Sequence, residues 1–415
     1  MSIKTGAARA PGKPARRAFC ALLMVLVTLS GCAPHRPPGA APAAEAAQPP
    51  PPLPPVPWRE DVAASLVNGN AQWADPGRDR TIEGRWTAPA DGGRVLIVVL
   101  PGLAQGSRIP TALAETLAHA GFAVLALGHP GNDETIWQGP EARRADFELA
   151  ARRVYATREV AERVADVRFV LAALERQPPS WLRGAPSRVG LLGIGPGAQT
   201  AQWLVGEWMA RDVPPAADPR IGAAALIGPY VGFEGPALYQ RYGAITTPLL
   251  LAYGLGETDP YGLGMTAQQR RAMSNQLANA RVIELRLPAS TVAALQLPGM
   301  PQGADAASMG RMPQNASIAR EPQNRSGRGS GGGGPSAGGG PGGPSEAMMS
   351  PSAGAPSMAR NVQAARVAVL FSISAFFEAE LLNSADARDW LEGPHPGPAQ
   401  WSTLPAGRAV AAQPR

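Results

Sequence analysis

Cysteine is almost missing from this 415-residue chain: the sequence has two, Cys20 and Cys32, both near the start. With Cys20 in a removed leader and Cys32 modified, as argued below, no free thiol remains. Disulfides and cysteine-based metal sites are then excluded. Histidine is scarce too, at four residues, and none lies between Gly131 and His395. That gap matters for any chemistry needing a general base late in the chain. Strong charge of one sign is absent as well. The formal charge is +6, but Lys4, Arg9, Lys13, Arg16 and Arg17 belong to the leader, and removing those five leaves about +1. No basic patch with interleaved aromatics survives, so a nucleic-acid partner is not expected. Nor is there a long hydrophobic run. Phe19–Leu29 falls far short of the roughly 20 residues that span a bilayer.

What is abundant is glycine (48) and proline (45), concentrated in two segments. Residues 1–31 read as a signal peptide, with a basic n-region, the apolar run, and Leu29-Ser30-Gly31-Cys32. The last four residues resemble the bacterial lipobox, whose cysteine is acylated and becomes the new N-terminus. The resemblance implies a lipid on Cys32, with the bilayer as partner; the alternative is an ordinary secretory signal with a chance thiol. Ala33, where an aspartate would favour inner-membrane retention, points to the periplasmic face of the outer membrane by likeness to other lipoproteins. Residues 32–57 end in PPPPLPPVP and read as a semi-rigid polyproline tether of about 3.1 Å per residue, or else as a proline-rich ligand.

A globular part is expected at 58–296. Thr81–Thr87 alternates like an early strand, and Arg94–Leu100 (RVLIVVL) is a β-branched run suited to a strand buried on both faces. The pattern then places a helix at Thr111–Ala120, a strand at Phe122–Leu127, and a charged amphipathic stretch at Glu141–Arg176. That stretch carries Val160, Val164, Val167 and Leu171 at helical spacing. Strands are expected at Ala223–Ile227, Thr247–Tyr253 and Arg281–Leu287, with a helix at Thr266–Ala280. Such alternation predicts an α/β fold with a doubly wound, mostly parallel sheet. Residues 297–360 (GSGGGGPSAGGGPGGPS and its surroundings) predict a disordered insert. Its methionines are irregularly spaced and lack histidine, so no metal site is expected there. A final helix is expected within 361–392, with Phe371, Phe376 and Phe377 on the sheet, and 393–415 reads as a flexible tail.

The stretch that organises the rest is Arg188–Trp203, RVGLLGIGPGAQTAQW: a buried strand, a glycine-rich turn, and a helix opening at Ala198. It resembles the nucleophile elbow of α/β-hydrolases, G-x-S-x-G. Here the five residues are Gly193-Ile194-Gly195-Pro196-Gly197, so the nucleophile position is Gly195. Together with DPGRDRTIEGRWTA (75–88), PGLAQGSR (101–108), His129-Pro130-Gly131-Asn132, RVADVRFVLAAL (163–174) and AFFEAELLNSADARDWL (375–391), the elbow is similar to bacterial predicted dienelactone hydrolases, kin of the platelet-activating-factor acetylhydrolases. The second half is also similar to an uncharacterised α/β-hydrolase-like bacterial family whose elbows lack the serine. The resemblance implies the α/β-hydrolase fold and, in active members, ester or lactone hydrolysis by a serine, a histidine and a carboxylate with two N–H donors for the oxyanion.

Measured against that requirement, the chain is deficient. Gly195 has no side chain, and the loop beginning Pro288-Ala289-Ser290-Thr291 contains no histidine. Glu257 or Asp259 could serve as the acid; in the acetylhydrolase branch the acid follows the preceding strand, where this chain has Ile227-Gly228 and no carboxylate. Leu103 or Ala104 could donate an oxyanion N–H, but Pro196 has none to give. With Ile194, these residues outline the expected pocket. The main expectation is a pseudoenzyme, without cofactor or metal, that binds a small-molecule or lipid ligand or serves as an envelope interaction module. The alternative is an active ester or lactone hydrolase with a relocated set, Ser107 as nucleophile and His129 as base. His129 and Asp133 read first as turn-forming residues, and His119 as an exposed residue at a helix C-terminus. A third reading makes the insert the working part. No protein partner is named by the sequence.

Overall fold

The computed structural model describes residues 55–59, 65–133, 135–136, 147–211, 215, 217–232, 235–255, 259, 262–288, 355–395 and 399–408. The leader, Cys32, most of the tether, and the insert up to residue 354 lie outside these residues. So do Glu257 and the loop after Pro288.

Nine strands form one sheet: β1 (Leu66–Asp75), β2 (Arg80–Pro89), β3 (Val95–Leu100), β4 (Phe122–Gly128), β5 (Val189–Ile194), β6 (Ile221–Ile227), β7 (Leu249–Leu255), β8 (Val282–Pro288) and β9 (Gln400–Leu404). Their order across the sheet is β1-β2-β4-β3-β5-β6-β7-β8-β9. Strands β3 to β8 are mutually parallel; β2 pairs antiparallel with both β4 and the edge strand β1, and β9 pairs antiparallel with β8 at the other edge. The helices are α1 (Thr111–His119), α2 (Phe147–Tyr155), α3 (Thr157–Arg176), α4 (Pro196–Leu204), α5 (Leu238–Tyr242), α6 (Ala267–Gln276), α7 (Ala355–Leu381) and α8 (Ala385–Glu392). This mixed, mostly parallel sheet with an antiparallel β2 and helices on both faces is the α/β-hydrolase fold.

Burial on both faces explains the unbroken apolar runs of the central strands. Along β3, Leu96, Val98 and Leu100 join one core with Val160, Val164, Val167 and Leu171 of α3 and with Ala198 and Leu204 of α4. Ile97 and Val99 join the opposite core with Leu113 and Leu117 of α1 and with Ile373, Phe376 and Phe377 of α7. Strand order reverses at β3: β4 lies on one side of it and β5 on the other. The loops leaving the C-terminal ends of β3 and β5 therefore face each other across a topological switch point, where such sheets place their sites.

Several expectations are corrected. The tail after residue 392 is not wholly flexible. Gln400–Leu404 adds a strand antiparallel to β8, Trp401 Nε1 donates to Ser372 Oγ at 3.2 Å, and Ser402 Oγ donates to Glu284 Oε2 at 3.0 Å. Its proline-rich flanks conceal a five-residue strand whose tryptophan packs on α7. The final helix begins at Ala355, six residues before the expected boundary, and so takes in the end of the expected insert. The elbow helix opens at Pro196 rather than Ala198. Proline at the first helical position loses no intrahelical bond, and its fixed φ suits the helix. The single stretch expected at Glu141–Arg176 contains two helices, broken at Ala156, whose ψ of 140° is extended. Strand β1 carries Asn-Gly-Asn in its first half and alternates only weakly between apolar and polar residues, so the sequence pattern does not announce it.

Candidate active site

The turn after β5 passes directly from strand to helix through Gly195, the position the sequence pattern aligns with a nucleophile. Gly195 stands at φ 53°, ψ −112°, a region that costs any residue with a Cβ about 1–3 kcal/mol. Its N–H donates to Ile227 O of β6 at 2.9 Å, and its carbonyl accepts from Gln199 N at 3.2 Å. The flanking glycines are required by close approach. A Cβ on Gly193 would stand 2.5 Å from the Ala198 Cα, and one on Gly197 would stand 1.9 Å from the Leu100 carbonyl oxygen. The turn is thus pressed between β3 and its own helix. Ile194, Gly195, Pro196 and Gly197 are all buried.

The loop after β3 faces the elbow and is tied down by Asn132. Ala104 N donates to Asn132 Oδ1 at 3.2 Å, Asn132 Nδ2 donates to Gly102 O at 3.2 Å, and Gly106 N donates to Asn132 O at 3.2 Å. Gln105 closes the turn by accepting from Gly102 N at 2.7 Å. Ala104 adopts φ 63°, an uncommon left-handed conformation for a residue with a Cβ. The two expected oxyanion donors are therefore not equivalent. Ala104's N–H is engaged by Asn132 and Pro196 has none, while Leu103's N–H has no partner among the described residues.

Side chains also occupy the C-terminal end of the sheet. Leu103, Ala104, Ile136, Ala151, Val154 and Tyr155 form an apolar cluster with Tyr230 and Leu263 packed against it. The Tyr155 and Tyr230 rings lie 4.8 Å apart, and Gln199 Nε2 donates to Tyr155 O at 3.1 Å. Leu103, Tyr230 and Leu263 come from the loops after β3, β6 and β7, at the C-terminal end of the sheet. A cleft of about 340 Å³ remains beside them, lined among others by Tyr155, Gln199, Tyr230, Arg241 and Leu263.

The remaining expected residues do not assemble into a catalytic set. Asp259 shapes the loop after β7: its carboxylate accepts from Met265 N at 3.1 Å and its carbonyl from Gly262 N at 3.4 Å. Ser107 lines a separate cleft of about 580 Å³ between α1 and the β1–β2 hairpin. His129 does not line that cleft, and no hydrogen bond joins it to Ser107 among the described residues. His119 is exposed in the last turn of α1, and Asp133 accepts from Thr135 N at 2.8 Å in a local turn. The His395 ring packs at a tilt against Trp390 and Trp401, with centroids 4.4 and 4.1 Å away, beside β9.

His129 instead belongs to a buried charge network that the sequence reading missed. Asp166 of α3, fully buried, accepts from His129 Nδ1 at 3.0 Å and from Arg78 Nη1 at 2.8 Å. Arg80 holds it through Nε at 2.9 Å and Nη2 at 2.7 Å. His129 Nε2 is buried, with no partner among the described residues. One signal was available: Arg163 and Asp166 lie on or beside the α3 stripe that carries Val160, Val164 and Val167, and a charge on an apolar stripe needs a partner.

Burial pushes His129 below its ordinary range, against the opposing pull of Asp166. Burial alone would raise Asp166, but hydrogen bonds from His129 and Arg80 hold its carboxyl well below the usual range. The pair thus rests as a neutral imidazole donating through Nδ1 to a carboxylate already neutralised by two arginines. Both folded-state values are depressed, so the linked stability is present above the unfolded values and is lost as pH falls below them. We expect the urea midpoint to decline as pH drops below about 6.5, where the unfolded chain protonates His129 first. A second, steeper decline is expected below about 3.9 from Asp166. His129→Gln is expected to flatten the first decline while leaving the second.

No family model and no curated protein matches the chain. Solved structures similar to it include a cold-adapted esterase from an Arctic intertidal metagenomic library (20% identity, TM-score 0.36, 56% of this chain and 94% of that one). A ferulic acid esterase from Streptomyces cinnamoneus is also similar (20%, 0.37, 54% and 74%), as is a dienelactone hydrolase from Klebsiella pneumoniae (16%, 0.35, 53% and 85%).

Proposed function

We propose that this chain is a catalytically inactive member of the α/β-hydrolase fold, held at the bacterial outer membrane by a lipid on Cys32. Its work is binding: a small-molecule or lipid ligand in what remains of the old pocket, or a partner in the envelope. The observation that carries the reading is Gly195, which holds the strained elbow conformation with no side chain to attack a carbonyl. Three further features support it. Pro196 removes one oxyanion N–H and Asn132 occupies another. No histidine follows β8 until His395. The apolar cluster around Leu103 and Tyr155 fills the receiving end of the sheet. Removing any one member of a serine triad already leaves only a small residue of the rate.

The test is fluorophosphonate labelling of the mature chain, with Gly195→Ser and Ser107→Ala beside it. Neither the natural protein nor Gly195→Ser is expected to label, because the new hydroxyl has no base. Labelling of the natural protein that disappears in Ser107→Ala would establish the relocated set and overturn the proposal. The membrane half is tested separately. Cys32→Ala is expected to release the protein from the membrane fraction, and an unchanged distribution would remove the anchor from the reading.

A further inference from the structure

One buried cation ties the elbow helix to its neighbours through neutral acceptors alone. Arg163 of α3 is 3% exposed. Its Nε donates to Thr200 Oγ1 at 2.8 Å, one Nη donates to Val154 O at 2.8 Å, and the other reaches Pro196 O only at 3.5 Å. All three acceptors are neutral, and no carboxylate pairs with Arg163 among the described residues. A guanidinium has five N–H donors in a planar fork, so two are left without an acceptor. Taking an unpaired cation out of water is costly. Its one titration consequence is that burial lowers Arg163 to about 10, still charged at neutral pH.

The same arginine lines a cleft of about 340 Å³ between the loop Pro130–Ile136 and helices α2 and α3. That volume is at the small end of ligand pockets. Arg153, exposed on α2, stands at its rim and adds a second cation. Gly131, at φ 83°, presents open backbone there: a Cβ on it would meet nothing within 4 Å. Glu159, half-buried, is the opposing charge on the lining, yet it forms no ion pair with Arg163.

We propose that this cleft is a binding site for a small soluble anion, a carboxylate or a phosphate group, received by the unused N–H groups of Arg163 and by Arg153. Charge-assisted bonds to a guanidinium fork are the strong ones, and burial keeps water from competing for them. The proposal does not depend on whether the elbow is catalytic. Because Arg163 also reaches the carbonyls of Val154 and Pro196, the anion would brace α2 and the elbow helix from one point.

The experiment is calorimetric titration of the mature chain, in detergent, with inorganic phosphate and with succinate, at constant ionic strength against chloride. Saturable binding of at least one is expected. Arg163→Lys, which keeps charge but loses the fork, is expected to weaken it about tenfold or more. Since that variant also loses packing bonds, two surface variants keep the test independent of folding. Arg153→Ala is expected to weaken binding several-fold and Glu159→Gln to tighten it several-fold, each with an unchanged unfolding midpoint. No saturable binding of either anion, or binding that both surface variants leave unchanged, would overturn the site. So would attachment to phosphatidylglycerol vesicles without binding of the free anions, which would assign the basic rim to a membrane surface.

Discussion

Asp166→Ala is expected to lower the unfolding free energy by about 3–5 kcal/mol, the cost of removing one partner from a buried ionic cluster. The carboxylate accepts four hydrogen bonds, one from His129, one from Arg78 and two from Arg80. Its loss would leave two guanidinium groups and an imidazole around an empty space that water cannot freely reach. Arg78 retains Asp75 and Glu162, at 2.7 and 3.2 Å, so part of its charge stays compensated. Among the described residues, Arg80 retains Glu162 alone, at 3.9 Å. The penalty therefore falls mainly on Arg80 and His129. Asp166→Asn, which keeps one acceptor oxygen but no charge, is expected to cost about half as much and to abolish the low-pH decline assigned to Asp166. Urea unfolding followed by tryptophan fluorescence reads both. A loss under about 1 kcal/mol for Asp166→Ala would mean that the cluster is hydrated in solution.

This network also marks where sequence reading stops. The doubly wound sheet was legible because hydrophobic runs such as Val95–Leu100 and Leu249–Tyr253 admit few readings once they alternate with amphipathic helices. The elbow was legible because three glycines at alternate positions after a buried strand serve close packing and a positive φ. What could not be read was which distant charges meet. Arg78 and Arg80 lie 88 and 86 residues before Asp166, and only the antiparallel placement of β2 beside β4 brings that hairpin against α3. His129 reads from sequence as a turn former because nothing local announces a carboxylate 37 residues away. Strand β9 was hidden for a related reason: its partner β8 lies more than a hundred residues earlier, across the insert. Asn132, read only as part of a turn, proves to be the residue that occupies a candidate oxyanion donor.

The elbow glycines allow a sharper contrast, because they are required for different reasons. Gly197→Ala is expected to cost about 3 kcal/mol or more, the upper end for overpacking. Its Cβ would stand 1.9 Å from Leu100 O, 2.5 Å from Leu100 C and 2.9 Å from Leu100 Cβ. The first two are backbone atoms of a central strand bonded to neighbours on both sides, so they cannot step aside. Relief must come from α4, which is held by Arg163 at Thr200 and by Gln199 at Tyr155 O. Shifting it would break those bonds as well. Gly195→Ala faces a torsional penalty instead, about 1–3 kcal/mol for φ 53°. Neither glycine carries a reactive group, so on the proposed reading both substitutions should be read as unfolding midpoints rather than as changes in esterase activity. If Gly197→Ala proved no more costly than Gly195→Ala, the helix would be free to slide over β3. The elbow would then be a looser turn than its contacts imply.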